Sequence, residues 1–338
     1  MGRRFRFSLR EYPGRSQKKT LHRPHERELC SRSYGEKLLT AGLVSIIIIT
    51  RNSETTLPAC LKSIQNQTYS DHEVIVVDNG SEDKTLALVH SPKARLITNL
   101  SNFGFAKANN QALEIAKGEF VLFLNSDAAI ATDFLQRSVP LFGEDQHVGA
   151  IAVKILRPEN GRERIIDSAG LLLENWRMLP RDRGQGEVDR GQYDHRTVVF
   201  GAPGACALYR RSALDSAALG QEIMDEDFFA YYEDVDLAWR VRRQNWITVY
   251  IPEAVACHRK RGPWGKERFI QVKAFTNRYW CYVKNVRAAE CLRYAMIAIP
   301  YEVLRVSRTL ALNPSWISAY FHEWRLAGRM MRKRRMMR

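Results

Sequence analysis

Apolar positions follow no period over residues 1–40, and then the pattern changes abruptly. VSIIIIT, residues 44–50, is a continuous β-branched run, the pattern of a strand buried on both faces of a parallel sheet. Asn52, Ser53 and Thr55 offer N-cap oxygens ahead of a helical pattern that reaches about Gln65. EVIVVD, residues 73–78, predicts a second buried strand, then the turn Asn79-Gly80-Ser81 and a helix to about His90. Residues 94–99 read as a third strand, 106–116 as a helix and FVLFL, 120–124, as a fourth strand. Strand and helix thus alternate four times in about eighty residues. This predicts an α/β fold with a Rossmann-like, mostly parallel sheet flanked by helices, whose ligands gather at the carboxyl ends of the strands.

Beyond residue 130 the pattern loosens. Residues 148–156 and 198–209 read as strands, the second interrupted at Gly201-Ala202-Pro203-Gly204. Residues 157–196 carry little apolar period and read as a long loop or a pair of hairpins, a length that in a compact domain usually serves function. Residues 234–244 fit a helix and 247–251 a strand, and from 266 to 338 the pattern is helical and rich in aromatics.

Charge changes this picture only at the ends. The net charge is +15, yet residues 1–40 supply +7 and 329–338 supply +6, which leaves the body nearly neutral. The basic character therefore belongs to a flexible arm and a tail, and it does not describe a nucleic-acid-binding surface; no nucleic acid is expected as a partner. Six cysteines (Cys30, Cys60, Cys206, Cys257, Cys281, Cys291) form no CxxC pair, which excludes a zinc ribbon and a disulfide framework. The N-terminal MGRRFRFSLREYPGR is followed by no apolar stretch, and no apolar run approaches the roughly 18 residues of a membrane span. A cytoplasmic location is expected.

Three sites carry candidate chemistry. Asn125-Ser126-Asp127 lies just past a buried strand, where Asn125 and Asp127 can share one hard cation because alternate residues of extended chain project the same way. Equally, Asp127 could cap a helix starting near Thr132. FFAYYEDVDL, residues 228–237, packs aromatics against three carboxylates at the start of a helix. Partial burial there would raise a carboxylate's pKa toward general-base work, the alternative being an N-terminal capping cluster. Asp234 is the candidate base, with Glu233 and Asp236 fitting the capping role. His258 is either structural or a further ligand beside Asp127.

The ordered series VSIIIITRN, EVIVVDNGSED, NFGFAKANN, FLNSDA, GAPGACALYRR, FFAYYEDVDLAWR and His258 resembles the family-2 glycosyltransferases of GT-A fold, in particular their rhamnosyltransferase-like branch, which includes galactofuranosyltransferases. The resemblance covers residues 43–258 and continues more weakly to about 286. It implies a glycosyltransferase domain over 41–265, with a nucleotide-sugar half (41–130) and an acceptor half (131–265), between the arm of 1–40 and a helical region at 266–338. It implies that Thr50, Arg51 and Asn52 approach the nucleotide, although many relatives have an aromatic where Arg51 stands. Asp78, with Asn79, would meet the base; Asn102, Gly104 and Lys107 would line the nucleotide-sugar pocket. Asn125-Ser126-Asp127 stands where the family's DxD motif binds a divalent metal (Mg2+ or Mn2+), with Asn in place of the first Asp, and His258 matches the late metal ligand. Asp234 matches the catalytic base, while Gly204, Ala205, Glu233 and Trp239 fall on the acceptor side. The stretch at 201–206 is otherwise a strand with a bulge. The implied donor is a dTDP- or UDP-sugar, with rhamnose leading, and the implied acceptor is a glycan or a polyprenyl-linked sugar.

In the C-terminal region Leu292, Ala295, Met296, Ile299 and Val303 form one apolar face opposite Arg293, Glu302 and Arg305, and Trp316, Tyr320 and Trp324 recur at every fourth residue. With six cations in the tail, this pattern fits a helix lying on an anionic membrane surface, placing the protein peripherally on the inner face of the plasma membrane. Packing on the body or a dimer contact is the alternative. A nucleic-acid-binding α/β protein and a nucleotidyltransferase are the rival readings of the whole chain. The first lacks aromatic–basic interleaving on its strands, and the second lacks a Gly-rich phosphate loop after the first strand.

Overall fold

The computed structural model describes residues 39–89, 94–158, 163–174, 179–259, 268–314 and 324–337. The arm expected over residues 1–40 lies, up to residue 38, outside the described residues, and β1 opens at Thr40. The strands are β1 (Thr40–Thr50), β2 (His72–Asn79), β3 (Ala94–Asn99), β4 (Gly118–Asn125), β5 (Ala128–Ile130), β6 (Val148–Leu156), β7 (Ile166–Ser168), β8 (Leu171–Glu174), β9 (Leu179–Asp182), β10 (Thr197–Val199), β11 (Cys206–Arg210) and β12 (Ile247–His258). The helices are α1 (Leu57–Gln65), α2 (Phe105–Ile115), α3 (Phe134–Ser138), α4 (Leu141–Glu144), α5 (Arg211–Ser216), α6 (Glu233–Arg243), α7 (Arg268–Asn285), α8 (Ala288–Leu312) and α9 (Ala327–Met336).

One sheet runs in the order β10-β12-β6-β11-β4-β1-β2-β3, with β5 and β7 attached at β12 and β6. β3, β2, β1 and β4 are mutually parallel, β6 and β12 are parallel to each other, and β11 runs against both β4 and β6. The β-branched runs are buried on both faces, as their continuity requires. Val44, Ile46 and Ile48 of β1 face α1 and α3, whereas Ile47 faces α2 on the opposite side. This is the expected α/β architecture, with the parallel half in front and a mixed half behind.

Three local expectations differ. Residues 82–89 form no α-helix; a single 3-10 turn, Leu86–Leu88, stands there, and His90 lies outside the described residues. Thr85 Oγ1 accepts from the Ser53 N–H (2.6 Å) and Asp83 Oδ2 from the Glu54 N–H (3.2 Å), so side chains that compete with helical hydrogen bonds are spent fastening the loop after β1. The strand predicted at 247–251 runs on to His258, and the unanticipated β5 pairs with its end, His258 lying opposite Ala128. A helix near Thr132 capped by Asp127 does not occur: α3 starts at Phe134, preceded by Asp133.

The C-terminal helices pack on the body. Trp280 and Cys281 of α7, with Leu326 and Met330, share a buried cluster with Phe228, Val235 and Ala238. On α9, Lys333 pairs with Glu222 (2.9 Å), Asp227 (3.0 Å) and Asp225, and Arg329 pairs with Asp227 (2.9 Å). The tail's cations are therefore partly committed to the protein's own carboxylates, so over α9 the packing alternative describes the structure. α8 is oriented unusually. Its Glu302 and Arg305 turn inward to Arg278, Tyr279 and Phe275, while Ile299, Val303 and Leu304 are exposed. Trp316 and Tyr320 lie outside the described residues, as do the side chains of Leu292, Arg293, Ala295 and Met296.

Candidate active site

Parallel register brings the strand-end motifs to one edge: Thr50 lies opposite Asp78, and Ile49 opposite Asn125. Behind β1, Asn52 adopts a left-handed φ of 48°, its N–H donating to Ser81 Oγ (2.9 Å) and its Oδ1 accepting from the Glu82 N–H (2.8 Å). Asp78 is 1% exposed and accepts from both the N–H and the hydroxyl of Ser81. Asn79 donates to Asn102 Oδ1 (2.9 Å) and the Gly104 carbonyl (3.2 Å) and accepts from Asn99 (3.1 Å), which also exchanges hydrogen bonds with Gln111. Asp78, Asn79 and Asn102 are thus spent on shaping the two loops that wall the strand ends. Gly104, at φ 88°, abuts Phe229 so closely that a Cβ would meet its ring at 2.6 Å. Lys107 sits over the Phe103 ring at 5.1 Å. At the strand end itself, the buried Thr50 hydroxyl has no hydrogen-bond partner, and Arg51 is half-buried beside it.

After β4 the motif divides. Ser126 is buried and hydrogen-bonds Ser53 (3.0 Å), while Asp127 faces His258, Oδ1 to Nε2 at 3.2 Å. The other ring nitrogen, Nδ1, lies 2.9 Å from Asp167 Oδ2, and Asp167 also meets Arg157 at 3.4 Å. Burial depresses the imidazolium, but hydrogen bonds to Asp127 and Asp167 outweigh it and raise its pKa to about 9. A divalent cation would fit here by displacing the proton between Asp127 and His258 Nε2, leaving one carboxylate oxygen and one imidazole nitrogen convergent while Asp167 fixes the far side of the ring. Among the described residues no cluster of three or more His, Cys, Asp or Glu side chains gathers for a metal. Asp167, on a three-residue strand 91 residues from His258, carried no sequence signal.

The three acidic residues of the second motif separate into three roles. Asp236 is fully buried and tied to Arg240 (2.8 Å), Lys284 (2.7 Å) and Asn285 (2.6 Å), so it is structural. Glu233 is buried with Oε2 unpartnered, and burial together with the Asp234 charge pushes its pKa up to about 8. Asp234 is half-buried; Oδ2 accepts from the Gly204 N–H (2.8 Å) and Oδ1 from the Val235 N–H (2.8 Å). Burial raises its pKa above the usual carboxylate value, and these two N–H groups hold the rise back. The next carbonyl along, that of Ala205, accepts from the Asn125 N–H (3.0 Å). Gly204-Ala205 therefore stitches the acidic motif to the end of β4. Trp239 stands away from this junction, edge-on to Phe200 (5.5 Å) and Tyr282 (6.0 Å) in the seam between α6 and α7.

The sequence and the fold have counterparts among known proteins. The family model for glycosyl transferase family 2 matches residues 45–217, just over half of the chain, and the chain belongs to that family. An N-acetylglucosaminyltransferase of Mesorhizobium japonicum is 32% identical over 63% of this chain and 50% of its own length. One from Bradyrhizobium diazoefficiens is 29% identical over 66% of this chain and 46% of its own. The chain thus spans about half the length of these curated relatives. The crystal structure of GalNAc-T7 with UDP, GalNAc and Mn2+ aligns with 74% of the chain and 49% of its own at TM-score 0.56 and 15% identity, a likeness of fold.

Proposed function

We propose that the protein is an inverting glycosyltransferase that moves a sugar from a nucleotide-diphosphate donor to a hydroxyl of a glycan or polyprenyl-linked acceptor. One observation carries the reading: the two hydrogen bonds through Gly204-Ala205 set Asp234 beside the strand end that bears Asn125 and Asp127. The donor's diphosphate would lie at that strand end, with Thr50, Arg51, Asn52, Asp78, Asn79, Asn102, Gly104 and Lys107 forming its walls, and Ser126 supporting the turn. Asp127 and His258, with Asn125, would hold Mg2+ or Mn2+, which supplies Lewis-acid neutralisation of the charge on the departing nucleoside diphosphate.

An acceptor hydroxyl is a poor nucleophile until it loses its proton. Asp234, its pKa raised by burial, accepts that proton as the oxygen attacks the anomeric carbon. One base opposite the leaving group gives a single displacement with inversion and needs no covalent sugar–enzyme intermediate. Gly204 and Ala205 lack side chains that would keep a sugar away from the base, and Glu233 lies beside it. Rhamnose from a dTDP- or UDP-sugar is the proposed cargo, on the resemblance of the ordered motifs to the rhamnosyltransferase-like branch. We place the enzyme in the cytoplasm, in contact with a lipid surface through the exposed apolar residues of α8.

The test is nucleoside diphosphate release from a panel of UDP-, dTDP- and GDP-sugars with Mg2+ or Mn2+, comparing the wild type with Asp234→Asn. Turnover should fall on the order of 10² to 10⁴ in the variant while the fold persists. Wild-type turnover in Asp234→Asn would exclude it as the base, and NMR of the product's anomeric configuration reads inversion directly.

A further inference from the structure

The loop that presents Glu233 and Asp234 is held in a backbone conformation that its residues do not favour. Phe229 (φ 63°), Tyr231 (φ 70°) and Tyr232 (φ 70°) all have positive φ, a region that bulky side chains rarely enter. Such conformations persist only where surrounding structure over-determines them, and they collect at functional sites. What over-determines this one comes from outside the catalytic half. Asn277, fully buried on α7, directs its Nδ2 at the carbonyls of Phe228 (2.7 Å), Ala230 (2.8 Å) and Tyr231 (2.9 Å). All three neighbours are acceptors, so the amide must present its NH2 to them, and its Oδ1 is left buried without a partner. From the other side the Ala106 N–H, in the first turn of α2, donates to the Phe229 carbonyl (3.2 Å).

We infer that Asn277 is a positioning residue for sugar transfer: it clamps residues 228–231 so that α6 begins at Glu233 with the Asp234 carboxylate against Gly204. The inference rests on the reading of Asp234 as the base. The hydrogen bonds of Asn277 go to the carbonyls of Phe228, Ala230 and Tyr231, not to that carboxylate or to the strand ends where the donor would lie. Its loss should therefore act mainly on turnover, because a base displaced by about 1 Å costs on the order of 10²-fold in rate, with a smaller effect on donor binding through Phe229, which abuts Gly104.

Two variants of similar side-chain volume remove both donors, Asn277→Leu and Asn277→Asp, and each is compared with the full-length wild type in two ways. Hydrogen exchange reads the loop without any ligand, and kinetics use whichever nucleotide-sugar of the panel the wild type consumes. The expected result is faster exchange confined to amides 228–235, kcat down roughly 10²-fold and donor KM within about threefold of wild type. Unchanged exchange in either folded variant would overturn the clamp. Faster exchange with wild-type kcat, or a donor KM that rises as steeply as kcat falls, would overturn the positioning role. Should both substitutions prevent folding, Asn277→Ser, which keeps one hydroxyl donor, is read by the same criteria. Failure of the functional reading is distinguished independently, since it appears as full turnover in Asp234→Asn.

Discussion

At the scale of single residues, Glu233 is the group whose environment has the clearest measurable consequence. It is buried, one oxygen lacks a partner, and its pKa is raised to about 8. An unfolded chain releases this proton near pH 4.5 while the folded one keeps it, so the unfolded state binds fewer protons between those values. Stability contributed at this site therefore falls as pH rises from 4.5 to 8. Glu233→Gln removes the titration with little change in shape and should melt higher than wild type at pH 8, the two converging as pH falls toward 4.5. Equal melting temperatures at pH 8 would show that Glu233 ionises freely. The sequence placed Glu233, Asp234 and Asp236 together, and aromatic neighbours marked the motif as more than a solvated acidic patch. It could not separate the three roles, because those depend on Lys284, Asn285 and Gly204, between 30 and 49 residues away. Asp167 and Asn277 were out of reach for the same reason. A lone Asp in an aperiodic stretch and a lone Asn on a helix acquire meaning only through distant contacts.

Among the elements, the strands were the most legible, since continuous β-branched runs have few other uses, and β6 begins and ends where its pattern does. Helices were less so: the segment after β2 has helical composition, yet its Asp83 and Thr85 are used by the loop after β1. The tail's charge and aromatic spacing suggest a lipid surface, and neither reveals a partner within the chain. Asp225, wholly buried, meets Lys284 (2.5 Å) and Lys333 from different helices. Burial opposes its ionisation, but the two ammonium groups prevail and hold its pKa down to about 2. The stability this contributes is present above pH 3.8 and is lost as pH falls through about 2. Lys333→Met should weaken the attachment of α9 and raise the Asp225 pKa, so acid unfolding followed by circular dichroism should begin at higher pH than in wild type. An unshifted acid midpoint would show that Lys284 alone governs Asp225.

For the whole molecule, the C-terminal helices present two different surfaces. α9 is a strap: Met330 is fully buried, Leu326 shares the cluster around Trp280, and Arg334 donates to the Val283 carbonyl (2.6 Å). α8 instead turns charge inward and leaves Ile299 (58% exposed), Val303 (60%), Leu304 (71%) and Leu312 (70%) facing out, with Arg308 exposed on the same stripe. No described helix is long and apolar enough to cross a membrane. An apolar stripe that carries an exposed cation is instead suited to lying in a lipid interface, with both area and charge contributing. These two roles predict opposite responses. Deleting residues 314–338 exposes the cluster around Trp280 and should lower the melting temperature by several degrees, since a small shift in stability moves the Tm of a mid-sized domain by roughly 2–4 °C per kcal/mol. The double variant Ile299→Glu, Leu304→Glu should keep the wild-type melting curve and lose flotation with vesicles of anionic phospholipid. Wild-type binding should also weaken at 1 M salt, where the Debye length is about 3 Å, but should not vanish, because the apolar contribution is not screened. Retained flotation in the double variant would exclude α8 as the lipid contact. A concentration-dependent shift in mass that the same variant abolishes, without any flotation in the wild type, would assign the stripe to a second copy of the chain.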